Sequence, residues 1–399
     1  MIKIRNFAIV LLLLVVVGNE GYRLGKKSNA SSQGNELNLS MMWKVKQELE
    51  NKYLDKTKID NKKMEYGAIE GMVSSLDDPY TVYLPPDQNK SANEDLAGTF
   101  GGVGISLGFK DKTLAVMTPL PKTPAANAGV LAGDLILKIT DKKNNIDKDT
   151  TGIGLDEAVK LIRGEIGTEV TLKLYREGSK EAFDVTLKRD NIIVPSLEME
   201  WITRNGKKMA WVKLYKFSDL IYKEWPETVA KIIKEKDANY GGIILDLRNN
   251  PGGFLQASVL VASDFIKSGV IVTQESSNGP GEKYNVDKSR NLLLDDKLVV
   301  LVNGGSASAS EILAGALKEY GRAKLVGEKT FGKGTVQAPE NYEDGSGLHI
   351  TIAKWMLPNG KNIHKEGVNP DVEEKYVPNT KDPKADNQLE KASQVLLNN

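Results

Sequence analysis

Three serines alternate with small residues in Asn303-Gly-Gly-Ser306-Ala-Ser308-Ala-Ser310-Glu311, and one lysine stands between glycines in Gly332-Lys333-Gly334. A serine hydroxyl is a weak nucleophile until a base takes its proton. The chain has only two histidines, His349 and His364, so the usual base is scarce. A lysine amine can do the work if it is neutral, and burial pushes its pKa down from about 10.4. Gly332 and Gly334 allow close packing around Lys333, and Val336 adds apolar surface. Gln337 stands where its amide could hydrogen-bond the amine and orient it. These residue types point to hydrolysis by a serine–lysine pair.

Position must select the serine. The apolar residues Ile312, Leu313, Ala316 and Leu317 put the start of a helix near Ser308 to Ser310. A serine there lies beside exposed N–H groups whose partial positive charge favours an oxyanion. Ser308 is the middle candidate, Ser306 stays open, and Ser310 beside Glu311 suits capping. Asn249-Asn-Pro-Gly-Gly253 follows the buried strand Gly242 to Leu247. One bare N–H of that turn, with the N–H of Ala309, would make a two-donor oxyanion hole. The plainer reading of the same residues is a simple turn.

Two nucleotide-binding patterns fail. Gly327-Glu-Lys-Thr-Phe-Gly332-Lys333 opens like a P-loop, but Gly334 stands where magnesium needs Ser or Thr. Gly102-Val-Gly104 meets Leu107 where a dinucleotide fingerprint needs glycine.

The elements that must position these residues follow from periodicity. Ala210 to Leu214, Gly242 to Leu247 and Lys297 to Val302 read as strands, with an amphipathic helix over Trp225 to Lys234. Strand, turn and helix in repetition make an α/β core over residues 191–380, followed by a tail, 381–399. Residues 98–190 have a different texture. A glycine turn, Gly101 to Gly104, leads into a short strand, and Leu131 to Ile139 holds a turn and a buried strand. Leu155 to Gly164 is a short helix, and alternation in Val170-Leu172-Leu174 and Phe183-Val185-Leu187 gives two more strands. These make a small separate domain.

Residues 38–97 are helical in pattern. Met41, Val45, Leu49 and Tyr53 share one face from Asn38 to about Ser75, with Ser40 as a cap. That face reads first as packed on the chain's own core, with a homodimer through it as the alternative. Residues 26–37 are a polar linker. In residues 1–25, Lys3 and Arg5 precede an apolar run from Phe7 to Val17. The run is shorter than the roughly 20 residues of a full span and fits a signal peptide; its small-residue box is poor, so an uncleaved membrane anchor is the alternative. Either outcome puts the body outside the cytoplasm.

Composition narrows the classes. The 399 residues, 40% of them apolar, suffice for two or three domains. Net charge is +1 with both signs interspersed, so no nucleic-acid partner is expected. With no cysteine, thiolate metal sites, thiol nucleophiles and disulfides are excluded. No cofactor is called for.

Two resemblances now attach to these residues. The glycine turn, Ala126 to Gly129, Gly133-Asp134 and the late helix resemble a PDZ domain, which adds a peptide strand to its sheet edge and holds the terminal carboxylate on backbone N–H groups. The resemblance implies Gly102, Val103, Gly104 and Ile105 as the carboxylate loop and offers Arg163 as a charged partner, against a plain solvated helix end. The whole chain, roughly Asn38 to Val377, resembles the carboxyl-terminal processing proteases, PDZ-containing peptidases with a Ser–Lys dyad. Asp78-Pro-Tyr80, Asp246 to Gly253, Ser306 to Glu311, Gly332 to Gln337, Leu357 to Gly360 and Gly367 to Asp371 fall in that family's order. The resemblance implies Ser308 as nucleophile, Lys333 as base, Gln337 as its orienting partner, and the N–H groups of Gly252 and Ala309 as oxyanion donors, with Gly253 a close rival. It implies a PDZ domain inserted into or beside a crotonase-like α/β protease core, and protein substrates with apolar C-termini. A membrane-tethered PDZ adaptor with a dead hydrolase domain is the competing class.

Overall fold

The structure is a computed structural model describing residues 37–277, 279, 281–378, 382 and 385–398. The apolar run Phe7 to Val17 and most of the linker lie outside the described residues. Two units divide between Ala68 and Ile69.

The first unit holds α1 (Ser40–Lys52) and the start of α2 (Asn61–Ser74). The helical stretch expected from Asn38 to about Ser75, with a second short helix over Tyr66 to Leu76, is thus two helices, the second starting earlier, at Asn61, and a short turn with Asp55 Oδ1 accepting from the Thr57 N–H joins them. Ser40 is the first helical residue rather than the cap, and its N–H donates to Asn38 Oδ1. Met41, Val45, Leu49 and Tyr53 are exposed, and none of this unit's described residues is buried.

The second unit begins with the rest of α2, then β1 (Val82–Leu84) and α3 (Pro86–Ala97). Pro86 presets the first helical turn of α3, and Gly98, at φ 71°, ends it in the left-handed conformation. The small domain follows: β2 (Thr99–Gly102), β3 (Ile105–Lys110), β4 (Thr113–Pro119), α4 (Pro124–Asn127), β5 (Leu135–Asp141), β6 (Ile146–Asp149), α5 (Leu155–Ile162), β7 (Glu169–Tyr175), β8 (Phe183–Lys188) and β9 (Asp190–Ile193). Its sheet runs β3-β4-β5-β7-β8, with β6 on β5 and β3 at an edge. The alternation in β7 sends Val170, Leu172 and Leu174 into the core with Leu114, Ile136 and Ile162. Arg189 is buried there, paired with Asp141 at 2.9 Å and donating to the carbonyls of Leu161 and Ile162 at the end of α5. Those carbonyls have no partner inside the helix, so the guanidinium satisfies both. Strands β2 and β9 pair antiparallel, so the chain enters and leaves this domain side by side.

The half expected to be catalytic is built from both sides of that insertion. Its elements are β10 (Leu197–Arg204), β11 (Lys207–Leu214), α6 (Ile221–Glu235), β12 (Tyr240–Asp246), α7 (Leu255–Phe265), β13 (Val270–Ser276), β14 (Glu282–Asn285), β15 (Leu298–Val302), α8 (Ala309–Glu319), β16 (Lys324–Gly327), β17 (Thr335–Asn341), β18 (Gly347–Met356), β19 (Val372–Glu373) and α9 (Asn387–Asn398). One sheet runs β10-β11-β12-β15-β16-β19, parallel beyond β11. Residues of α6, α7 and α8, among them Trp225, Val261 and Leu313, share one core with Leu245 and Val300 of this sheet. Leu389, Ala392 and Leu396 of α9 pack on its other face against Ile244 and Val299. The stretch read as a tail therefore carries a docked helix, since its apolar residues recur at helical spacing. A second sheet runs β1-β18-β13-β14 with β17 on β18, so β1 brings the segment before the insertion into the catalytic half.

Candidate active site

Strand β15 is wholly buried and delivers its end into the serine turn. Ser306 Oγ donates to the Leu247 carbonyl at 2.8 Å and accepts from the Asn303 N–H. Ser310 Oγ donates to the Asn250 carbonyl at 2.9 Å. Both serines are fully buried, spent on lacing this turn to the loop after β12. Ser308 lies between them at the N-terminus of α8 and lines a cleft of about 640 Å³. Its φ is 55°, a region that costs a residue with a side chain of order 1–3 kcal/mol.

The group that holds this strained turn is Glu311, which sequence reasoning placed only as a neighbour of the cap. Its carboxylate is fully buried. Oε2 accepts from the N–H groups of Ser308 at 3.0 Å and Lys333 at 2.9 Å. Oε1 accepts from the Gly332 N–H at 2.7 Å and Thr330 Oγ1 at 2.6 Å. One side chain therefore fixes the backbones of both predicted catalytic residues. The Ser-x-x-Glu spacing was the available signal. The partners at 330–333 come from another part of the chain.

Lys333 sits in the loop between β16 and β17, half-buried in the same cleft as Ser308. Burial lowers its pKa from the usual lysine range, while the carboxylates of Asp78 and Glu311 pull the other way. The flanking glycines are required by packing. A Cβ on Gly334 would stand 2.6 Å from the His364 nitrogen, and one on Gly332 would stand 3.0 Å from the Gly367 nitrogen. Among the described residues, Lys333 Nζ makes no hydrogen bond or ion pair. The ring of Tyr80 faces it, with 5.0 Å between Nζ and the centroid.

Gln337 lines the cleft but is not bound to Lys333. Its amide nitrogen donates to Thr335 Oγ1 at 3.0 Å and Thr351 Oγ1 at 3.1 Å. The adjacent threonines offer good acceptors, which a sequence-only view of Gln337 did not include. His349 lines the cleft too, and burial followed by the charge of Lys333 lowers its pKa.

The loop expected to supply the oxyanion donors differs from expectation in one residue. The Gly252 N–H donates to Asn250 Oδ1 at 2.9 Å, and Asn250 Nδ2 donates to the Leu214 carbonyl at 2.7 Å. Gly252 still packs against the serine: a Cβ there would meet Ser308 Cβ at 2.8 Å. The N–H groups of Gly253 and Ala309 make no hydrogen bond among the described residues. The loop is anchored behind by Arg248, which donates to Asp246 and to Asp386 Oδ2 at 2.8 Å, just before α9.

In the small domain, Val103 is buried and Gly104 has φ 75°. Their N–H groups make no hydrogen bond among the described residues. Gly102 closes β2 and Ile105 opens the edge strand β3. Arg163 follows α5, with its guanidinium 3.8 Å from the centroid of Phe100 and 3.9 Å from Glu94 of α3. Its partners lie at the junction with the catalytic half.

Comparison with known proteins adds three matches. Residues 208–374 match peptidase family S41, residues 101–187 a PDZ domain, and residues 18–88 the activating protease CtpB N-terminal domain. The carboxy-terminal processing protease CtpA of Bacillus subtilis (strain 168) is 37% identical over 364 residues, spanning 90% of this chain and 73% of that protein. A probable CtpA-like serine protease of Staphylococcus aureus (strain MW2) is 38% identical over 369 residues, spanning 90% and 71%. Among solved structures, the photosystem II D1 C-terminal processing protease is similar at a TM-score of 0.51 and 29% identity, over 90% of this chain and 96% of that one.

Proposed function

The chain belongs to the carboxy-terminal processing proteases of peptidase family S41, and from that premise we propose that it cuts protein substrates near their C-termini with Ser308 as nucleophile and Lys333 as base. The observation that carries the assignment is the fate of the three serines. Ser306 and Ser310 donate into the oxyanion loop, and Ser308 alone of the three is left to the cleft that Lys333 shares.

In the reaction, the Lys333 lone pair takes the Ser308 proton as Oγ attacks the peptide carbonyl carbon. The oxyanion that forms is held by the N–H groups of Ala309 and Gly253, since the Gly252 N–H is already engaged. The lysine ammonium returns its proton to the leaving nitrogen as the C–N bond breaks. Water, deprotonated by the same amine, then adds to the acyl-enzyme and releases Ser308. Gln337 makes no contact with Lys333 in this structure, and would orient the lysine only by turning its carbonyl oxygen, which its two threonine bonds leave unused, toward Nζ.

The substrate end is an apolar C-terminal strand. Edge strand β3 pairs with it, and the N–H groups of Val103 and Gly104 hold its carboxylate. The exposed face of α1 suits a homodimer, and the N-terminal apolar run tethers or exports the chain so that the body works outside the cytoplasm.

The test uses the wild type, Ser308→Ala and Lys333→Ala on an unfolded polypeptide ending in apolar residues, read by intact mass. Loss of C-terminal fragments with the wild type alone supports the dyad. Cleavage by Lys333→Ala at the wild-type rate refutes it, and binding without cleavage by all three points to an adaptor.

A further inference from the structure

On the reading that Lys333 is the base, the reaction must create an ammonium at a half-buried site. Burying a charge without a partner is unfavourable. Lys333 Nζ has no hydrogen-bond acceptor among the described residues, and the group that faces it is the ring of Tyr80, 5.0 Å away at the centroid. An aromatic face attracts a cation at this range, and more strongly where water is displaced.

The ring is held in place from three sides. His364 meets it edge-on, at 6.0 Å between centroids and 71° between planes. The Tyr80 N–H donates to Asp78 Oδ1 at 3.0 Å, and Thr81 Oγ1 donates to Asp78 Oδ2 at 2.7 Å. Thr81 Oγ1 in turn accepts from the Thr351 N–H of β18, the strand that pairs with β17 just beyond Lys333. We propose that the turn Asp78-Pro79-Tyr80 is a third part of the base's site, in which the Tyr80 ring face holds the ammonium that Lys333 becomes when it takes the serine proton, and the Asp78 carboxylate, bonded to the Tyr80 N–H, positions that ring. Tyr80 and Asp78 act through Lys333 and are positioning residues.

The other charged or titratable groups around Lys333 are accounted for. The Glu311 carboxylate of α8 favours the ammonium, but four donors already occupy it. His349 of β18 has a buried Nε2 with no partner among the described residues, and burial followed by the charge of Lys333 lowers its pKa. His364 lies against Tyr80 and favours the charged form of Asp78. Glu311 shares this attraction with Asp78, and among the described residues the Tyr80 ring is the group that Nζ faces.

The test reads the rate at which a fluorophosphonate modifies Ser308, by intact mass, across pH. The rate rises on its acid limb as Lys333 loses its proton. Tyr80→Phe keeps the ring face and is expected within about twofold of the wild type. The same variant carrying a trifluorinated ring keeps the shape and cancels the negative face. Its acid limb is expected to move down by about half a pH unit, with a plateau about three- to tenfold lower. Asp78→Asn should move both in the same direction. An unmoved limb and plateau in both the fluorinated variant and Asp78→Asn overturns the proposal. Lys333→Ala is the control: slow labelling of it beside unmoved Tyr80 and Asp78 variants refutes this turn's part alone, whereas labelling of it at the wild-type rate refutes the dyad itself.

Discussion

Glu311→Gln is the most informative single substitution, because it keeps the shape and removes half of the acceptors. The carboxylate takes four hydrogen bonds, two on each oxygen. A glutamine turns one oxygen into a donor. The less costly rotamer puts its NH2 toward Thr330 and Gly332, because the Thr330 hydroxyl can rotate and accept. Gly332 then has a buried N–H with no acceptor, a loss of about 1–3 kcal/mol. The bonds from Ser308 and Lys333 survive but lose their charge assistance, about 1 kcal/mol each. The sum is at least roughly 3 kcal/mol on the segment that sets both catalytic backbones, and Ser308 is the strained one. If that energy is felt in acylation, the rate falls about a hundredfold, at 1.36 kcal/mol per decade. Glu311→Ala, which orphans all four donors, should fall further and lower the melting temperature. The assay is fluorophosphonate labelling of Ser308 beside peptide cleavage and a thermal melt. A Glu311→Gln protein that labels within twofold of the wild type would refute the idea that this carboxylate sets the geometry.

Three further outcomes follow from the same structure. Burial raises the Asp386 pKa, but the bonds and charge of Arg248 outweigh it and leave the carboxyl below its usual range. A depressed carboxyl stabilises the fold fully above its unfolded value, about 3.9, and the contribution is lost as pH falls through the folded value. Asp386→Asn should therefore lower the melting temperature at pH 7, by an amount that shrinks as the pH falls below about 3.9, and a loss that does not shrink would contradict the ion pair's role. Gly334→Ala places a Cβ 2.6 Å from the His364 nitrogen. Overpacking of this kind costs about 1–3 kcal/mol, and Ser308 labelling should slow because Lys333 moves. His349→Gln and His364→Gln should each stay within about tenfold of the wild type, against the roughly hundredfold or greater loss that removing a general base brings; a larger loss in either would reopen a histidine as base.

Local pattern settled a good part of this protein. Alternation in Val170-Leu172-Leu174 marked a strand, and those side chains are buried. The expected helix Trp225 to Lys234 lies within α6, which starts earlier at Ile221, and Lys297 to Val302 differs from β15 by one residue. A serine at a helix start and a lysine between glycines were legible for the same reason: helix onset and glycine's missing side chain act over a few residues. What the pattern could not decide was which groups would meet. Three alternating serines are equivalent until the Leu247 and Asn250 carbonyls claim two of them. Gln337 looks like a partner for Lys333 until Thr335 and Thr351 stand beside it. Gly252 looks like a free donor until the Asn250 side chain turns back to it. Glu311 reads as a neighbour of the cap until Thr330, Gly332 and Lys333 close onto its carboxylate. Residue type and local spacing are properties of a segment, so the sequence determined the elements and the kind of chemistry. Hydrogen-bond acceptors, like-sized rings and neighbouring charges are supplied by segments far apart in the chain, so only tertiary packing decided which of the candidate groups is left free to react.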